Sequence, residues 1–435
     1  MSLPRLLHFD RHAWLMLHVY LALIFGFFFA ILGLSGSLSI YREAIDRCFN
    51  PELVIEQPRA QVQSLDKIML ALRIEHPKRY GTWTLEMPME RDAMLTAWFE
   101  KPHETIDEFY APLMVSINPY TAEVVANRFW GQTLTTWILD LHTQLAMGAR
   151  GWQWVGVLGC LLTSSIVSGL YLWWPGWRQI WRVIVLKPQA SLQQLLIDIH
   201  RLLGVLSAVF LLVLALTGVL LSFPAILTTL FGSEGMGHGG TGKEIVSTAN
   251  PTKNPTTLSG AAFIARAPFP RAELRRVSTP AGDAGVYRIN LRQGEEVNHR
   301  HPFTTVWVDR WSGQIKEVRD PKGFSFGATL STWVWPIHTG EALGAQGRLV
   351  WFLCGQALFW LYITGLSRWL MRQGWVPDSK DVMTAGRQSL QQFIRVARQL
   401  SVHVGQKLAS HWPSLRDFCR LIVQRVLDLL RSFQK

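Results

Sequence analysis

Cysteine is scarce in this chain, with four among 435 residues: Cys48, Cys160, Cys354 and Cys419. None stands in a CxxC pair, which removes the usual zinc and iron-sulfur frameworks, and no CxxCH occurs, which excludes a covalently attached c-type haem. Ionisable residues are also few, 17% Asp, Glu, Lys and Arg against about 25% in a typical soluble domain. No GxGxxG opens a helix behind a strand, and no GxxxxGK is followed by Ser or Thr. By itself the chain has no equipment for oxidising NADPH or hydrolysing ATP. Negative charge is the minority sign, 31 acidic against 43 basic residues.

Apolar residues take up the difference, at 49% of the chain with 20 tryptophans. Four runs are of the order of the 20 residues that cross a bilayer: Trp14 to Ile40, Trp152 to Trp173, Leu202 to Phe223 and Leu349 to Leu370. Arg5 and Arg11 precede the first run, but it is longer than a signal-peptide core and no small-residue cleavage site follows, so it reads as a retained span. Basic residues gather before span one, between spans two and three (Arg178, Arg182, Lys187, Arg201) and after span four (Arg368, Arg372). The positive-inside rule then makes both termini cytoplasmic and puts the two long polar insertions outside. Much of the net charge of +12 sits in the tail from Met371 to Lys435, with eleven Lys or Arg against four Asp. Leu415, Phe418, Ile422, Val426 and Leu429 recur there at helical spacing, which predicts a basic amphipathic helix on anionic lipid rather than a nucleic-acid site.

An internal repeat organises the rest. His18 is followed by Leu34, Ser35 and Gly36 in span one, and His200 by Leu216, Thr217 and Gly218 in span three; histidine to glycine is eighteen residues in both. His142 before span two and His338 before span four are each followed by glycines at offsets six, nine and twenty-seven: Gly148, Gly151, Gly169 and Gly344, Gly347, Gly365. Each insertion ends in alternating apolar residues around an Asn or Asp turn, Val115 to Val124 and Val306 to Ile315, a hairpin signature. The fold class expected is an α+β membrane protein, a four-transmembrane-helix bundle built from two duplicated units.

The hairpin phrase resembles the last hairpin of the PepSY domain, and the histidine-marked spans around two such insertions resemble the PepSY-associated transmembrane helix family over residues 11 to 375. Asn118-Pro119 departs from the usual Asp at that turn. The resemblance implies a bacterial inner-membrane protein with a periplasmic PepSY-like α+β domain inserted between the spans of each unit. Members include iron-regulated inner-membrane proteins and siderophore reductases that bind two b-type haems. On that basis the chain divides into span one at 11–43, a first periplasmic domain at 44–131, an outer helix with span two at 132–175 and a cytoplasmic loop at 176–194. Span three at 195–224, a second periplasmic domain at 225–331, an outer helix with span four at 332–373 and the basic tail at 374–435 follow.

A six-coordinate b-type haem takes two neutral imidazoles from opposite sides in an apolar space, and helix bundles supply such pairs from facing helices. His18 and His200 fall at the cytoplasmic ends of their spans, His142 and His338 at the outer ends, so two haem b are expected, each between one such pair. Eighteen residues are five helical turns and about 27 Å. Gly36 and Gly218 thus share a face with His18 and His200 but lie at the depth of the outer pair, where the lack of a side chain allows close haem packing. A lone histidine at a span end is ordinarily an interfacial anchor, and span glycines ordinarily serve helix packing; four matched histidines reverse that balance. His8 and His12 are the substitutes if a ligand is misassigned. His76, His103, His299 and His301 read as domain residues, the last two with the option of touching a metal substrate. Gly232 to Gly242, carrying Met236 and His238, reads as a flexible linker with a substrate or metal contact as the sharper alternative. Trp130, Trp137, Trp333 and Trp335 crowd the outer boundary as an aromatic belt, or as walls for the outer haem or a docking surface for an apolar ligand.

The expected activity is electron transfer across the membrane from a cytoplasmic or quinol donor to a periplasmic ferric-siderophore, the substrate being what the resemblance implies. The rival is a siderophore permease or PepSY-type binding scaffold without redox activity.

Overall fold

The computed structural model describes residues 10–176, 191–231, 245–248 and 254–376. His8, most of the 176–194 loop, the Gly232 to Gly242 segment and the tail beyond 376 lie outside the described residues. The first half runs α1 (Arg11–Ile40), α2 (Arg42–Phe49), α3 (Leu65–Glu75), β1 (Trp83–Glu86), β2 (Leu95–Phe99), β3 (Leu113–Ile117), β4 (Val124–Phe129), α4 (Leu134–Gln144) and α5 (Gly148–Trp173). The second half repeats the order from α6 (Leu192–Ser222) through α7 (Ala225–Phe231), α8 (Leu258–Ala265), β5 (Glu273–Ser278), β6 (Val286–Arg292), β7 (Thr305–Asp309), β8 (Ile315–Arg319), α9 (Phe326–Thr339) and α10 (Gly344–Arg372).

Four helical stretches, α1, α5, α6 and Glu341–Arg372, are long and apolar enough to cross a membrane. α1 starts where Asp10 accepts a hydrogen bond from the Ala13 amide at 2.8 Å, satisfying one of the donors that a helix start leaves open. Its buried positions are mostly small, Gly26, Ala30, Gly33, Ser35 and Ser37, whereas Ile24 and Phe27 stay exposed. Small residues let backbones approach where lipid gives no hydrophobic drive for helix association. Accordingly a Cβ at Gly33 would overlap the Gly355 carbonyl of α10, and Ser37 donates to the Phe352 carbonyl at 3.0 Å.

Two compact units result, residues 1–172 with 207–359, and residues 173–206 with 360–435. The first unit holds one antiparallel sheet in the order β4-β3-β2-β1-β5-β6-β7-β8. Two four-stranded meanders meet where β1 pairs with β5, Thr84 opposite Ser278 and Glu86 opposite Arg276. One face alternates as a buried surface, with Leu85, Leu95, Val115, Val277, Ile289 and Val306 packed under α3 and α8 through Ile68, Leu72, Leu258 and Ala261. The other face presents Glu86, Trp98, Arg276, Ser278, Arg288 and Asn290, cross-linked by Arg276 and Trp98 to Glu86 at 2.8 and 3.1 Å and by Arg288 to Ser278 at 3.3 Å. Both predicted hairpins form. Asn118 accepts from the Tyr120 amide at 2.9 Å, and Asp309 from the Trp311 and Ser312 amides at 2.9 and 2.8 Å.

Candidate functional site

Each of the four marked histidines sits against a glycine of a spanning helix. A Cβ on Gly36 would lie 2.6 Å from Cε1 of His142, and one on Gly218 3.3 Å from Cε1 of His338. Likewise Gly169 faces His18 at 3.0 Å and Gly365 faces His200 at 3.3 Å. Because a helical Cβ leans toward the N-terminus, a side chain covers the turn before it. Glycine therefore uncovers the carbonyl one turn earlier, and that carbonyl takes the imidazole. His142 Nδ1 lies 2.9 Å from the Leu32 carbonyl, His18 Nδ1 3.0 Å from that of Ser165, and His200 Nδ1 3.1 Å from that of Leu361. Each of these carbonyls is four residues before the glycine.

The residue just before the glycine is a hydroxyl in every case: Ser35, Ser168, Thr217 and Thr364. Ser168 Oγ stands 3.1 Å from His18 Nδ1, Thr364 Oγ1 3.1 Å from His200 Nδ1 and Thr217 Oγ1 2.9 Å from His338 Nδ1. Ser35 instead donates to the Ile31 carbonyl at 2.6 Å, leaving His142 to its carbonyl alone. A carbonyl accepts only, so Nδ1 of His142, His18 and His200 carries the proton; Thr217 donates its own proton to the Val213 carbonyl at 2.6 Å and so accepts from Nδ1 of His338. This is the tautomer that a metal-ligating histidine needs.

His142 lies near the end of α4 and His338 near the end of α9, and the two ring centroids are 6.1 Å apart with planes inclined by 34°. With about 2 Å from nitrogen to metal and roughly 1 Å from ring centre to nitrogen on each side, two imidazoles on one metal stand about 6 Å apart. Burial lowers the pKa of both, that of His338 to about 3 with His142 as the second cause, so both are neutral near pH 7. Among the described residues no group of three His, Cys, Asp or Glu could hold a metal ion, so any metal between this pair draws its other ligands from elsewhere. His18 belongs to the first unit and His200 to the second, and each keeps its own seat as described.

Two further glycines shape the turns from α4 into α5 and from α9 into α10. Gly148 and Gly344 have φ of +63° and +62°, where glycine is favoured.

Of the other candidates, His12 is exposed at the start of α1. His76 Nε2 bonds Asn127 at 2.9 Å, His299 Nε2 meets Arg292 at 3.3 Å, and His103 is exposed. The His301 ring packs edge-on against Trp335, centroids 5.5 Å apart. Trp130 donates to Asp140 of α4 at 2.8 Å, while Trp137 and Trp333 are exposed in the manner of a belt. A cavity of about 420 Å³ opens where α2, β4 and the start of α4 meet, lined by Asp46, Asn50, Asn127, Arg128 and Thr133 with Phe49 at its rim. Leu134 in its wall is eight residues, or about 12 Å of helix, from His142.

The seats were missed as sites by spacing alone, although Ser168-Gly169 and Thr364-Gly365 repeat the Ser35-Gly36 and Thr217-Gly218 pairs and could have signalled them. A profile of the family described as PepSY-associated TM region matches residues 15–372. No curated protein matches the chain.

Proposed function

The chain belongs to that family, and from this premise we propose a duplicated inner-membrane electron-transfer protein that holds two non-covalent b-type haems and reduces a periplasmic ferric-siderophore. The 6.1 Å separation of His142 and His338 is the observation that carries the proposal, because it suits two imidazoles sharing one metal and is wider than direct ring contact requires. The donor set fits as well: His142 and His338 are neutral imidazoles, each with Nδ1 held by a neighbouring helix.

His142 and His338 would hold the outer haem, His18 and His200 the inner one, with both termini and the donor on the cytoplasmic side. A haem so bound supplies reversible one-electron transfer between ferric and ferrous iron. The protein's own part is to fix the tautomer through Leu32, Thr217, Ser165 and Leu361, and to exclude water from the rings. The cavity beside α4 gives a polar acceptor of siderophore size a place within reach of His142. Hard oxygen donors suit ferric iron better than ferrous iron, so reduction loosens the metal.

The test is stopped-flow mixing of protein reduced in proteoliposomes with a ferric hydroxamate. Re-oxidation of the chromophore that follows chelate concentration supports the proposal. A protein that binds the chelate and has no chromophore is the permease or scaffold instead.

A further inference from the structure

Three half-buried arginines, Arg42, Arg300 and Arg348, gather around residues 40–43, at the end of α1 and the start of α2. Arg348 donates to the carbonyl of Ile40 at 2.5 Å, the last residue of α1 and one turn beyond Gly36, which touches His142. Arg42 lies over Trp130 at 5.5 Å, and Trp130 is hydrogen-bonded to Asp140, two residues before His142. Arg300 pairs with Glu43 in a loop pinned on both sides of His338. There the His299 amide donates to Glu341 at 2.8 Å, and the His301 ring packs on Trp335.

Positive charge is in excess here. Among the described residues the Arg42 guanidinium makes no hydrogen bond and no ion pair, only its stacking on Trp130. Of the carboxylates that reach it, Glu86 is taken by Arg276 and Asp46 by Arg128. Arg300 is pushed down to about 9 by burial and then by Arg42, with Glu341 opposing the shift and Arg348 adding to the repulsion. With Glu43 the one carboxylate ion-paired within the group, the buried guanidinium of Arg42 is left without a matching anion, which is costly and is relieved by a ligand that brings carboxylates. The planar fork of arginine binds carboxylates in pairs of hydrogen bonds.

We propose that Arg42, Arg300 and Arg348 form a carboxylate cradle that takes the two propionates of the tetrapyrrole held between His142 and His338. This rests on the haem reading above. The cradle would orient the group with its carboxylates toward the sheet, and its positive charge would favour the ferrous form, which carries one charge fewer than the ferric.

The experiment uses the full chain in nanodiscs and reads haem content and the two reduction potentials by spectroelectrochemistry. Arg42→Gln and Arg300→Gln should each lower the potential of the haem that His142→Ala removes by about 60 mV, a tenfold change in the ferrous to ferric ratio. The other haem should not move, nor should either haem in Arg310→Gln, a control at the β7-β8 turn. In a second arm that needs no variant, protein stripped of haem is reconstituted with haem or with its propionate dimethyl ester, and the outer site should bind the ester at least tenfold more weakly. Unchanged outer potentials with equal binding of the two forms would overturn the cradle while leaving the haem reading intact. A wild-type protein that binds no haem at all sinks both.

Discussion

Gly36 and Gly218 occupy equivalent places, yet alanine should harm one far more than the other. A Cβ at position 36 would stand 2.6 Å from Cε1 and 2.9 Å from Nδ1 of His142, against an ordinary carbon contact of about 3.5–4.0 Å. The ring must retreat by about 1 Å, which stretches its 2.9 Å bond to Leu32 past the useful range of roughly 3.2 Å. Losing that bond costs about 1 kcal/mol and overpacking adds about 1–3 kcal/mol. Better helix propensity returns about 1 kcal/mol. The net is a loss of roughly 2 kcal/mol, with His142 displaced. At Gly218 the Cβ would stand 3.3 Å from Cε1 and 4.0 Å from Nδ1 of His338, so a shift of a few tenths of an ångström suffices and the net is about zero. Thermal unfolding in detergent reads stability, and ferric EPR of the low-spin centre reads ring geometry. Gly36→Ala should unfold several degrees lower and alter one EPR signal, while Gly218→Ala resembles wild type. Equal behaviour of the two variants would refute the reasoning.

Four further outcomes are expected. His142→Ala or His338→Ala should remove one haem and leave the other reducible from the cytoplasmic side; His18→Ala or His200→Ala should leave a haem that dithionite reduces and the native donor does not, and retention of donor-driven reduction in either set contradicts a relay. Ser168→Ala and Thr364→Ala each delete a hydroxyl 3.1 Å from Nδ1 while keeping the carbonyl, so each should cost only about 1 kcal/mol with both haems retained, as pyridine haemochrome quantitation checks. A cysteine introduced at Lys101 or Glu317 should be labelled by a membrane-impermeant reagent in intact spheroplasts, and protection would invert the topology. In haem-free protein the depressed pKa of His338 means that the folded state binds fewer protons than the unfolded one. Its contribution is full above about pH 6.5, the unfolded value, and is lost as pH falls toward 3, by up to about 1.4 kcal/mol per pH unit; His338→Leu should flatten the decline of Tm between pH 7 and 5, and an unaltered slope would argue against a buried neutral ring.

The spanning helices were legible because membrane-crossing hydrophobicity is a local property, and both hairpins because alternation around Asn118 and Asp309 is local too. The His142 and His338 pairing was legible only through the repeat, since matched spacings imply matched depth. The seats were not, because His142 meets Leu32 across 110 residues and His18 meets Ser165 across 147; only tertiary packing brings them together. The pairing of β1 with β5 is equally non-local and joins strands from both insertions into one sheet. Arg276 and Arg288 lie half-buried on the second face of that sheet. Alternation tells which residues share a face and is silent about what covers it.

The most direct test of the account is haem stoichiometry on the full-length protein expressed with ample haem supply. Two b-type haems per chain, with a sharp Soret band in the wild type and one haem in His142→Ala, is the result expected. One haem or none in the wild type would contradict it.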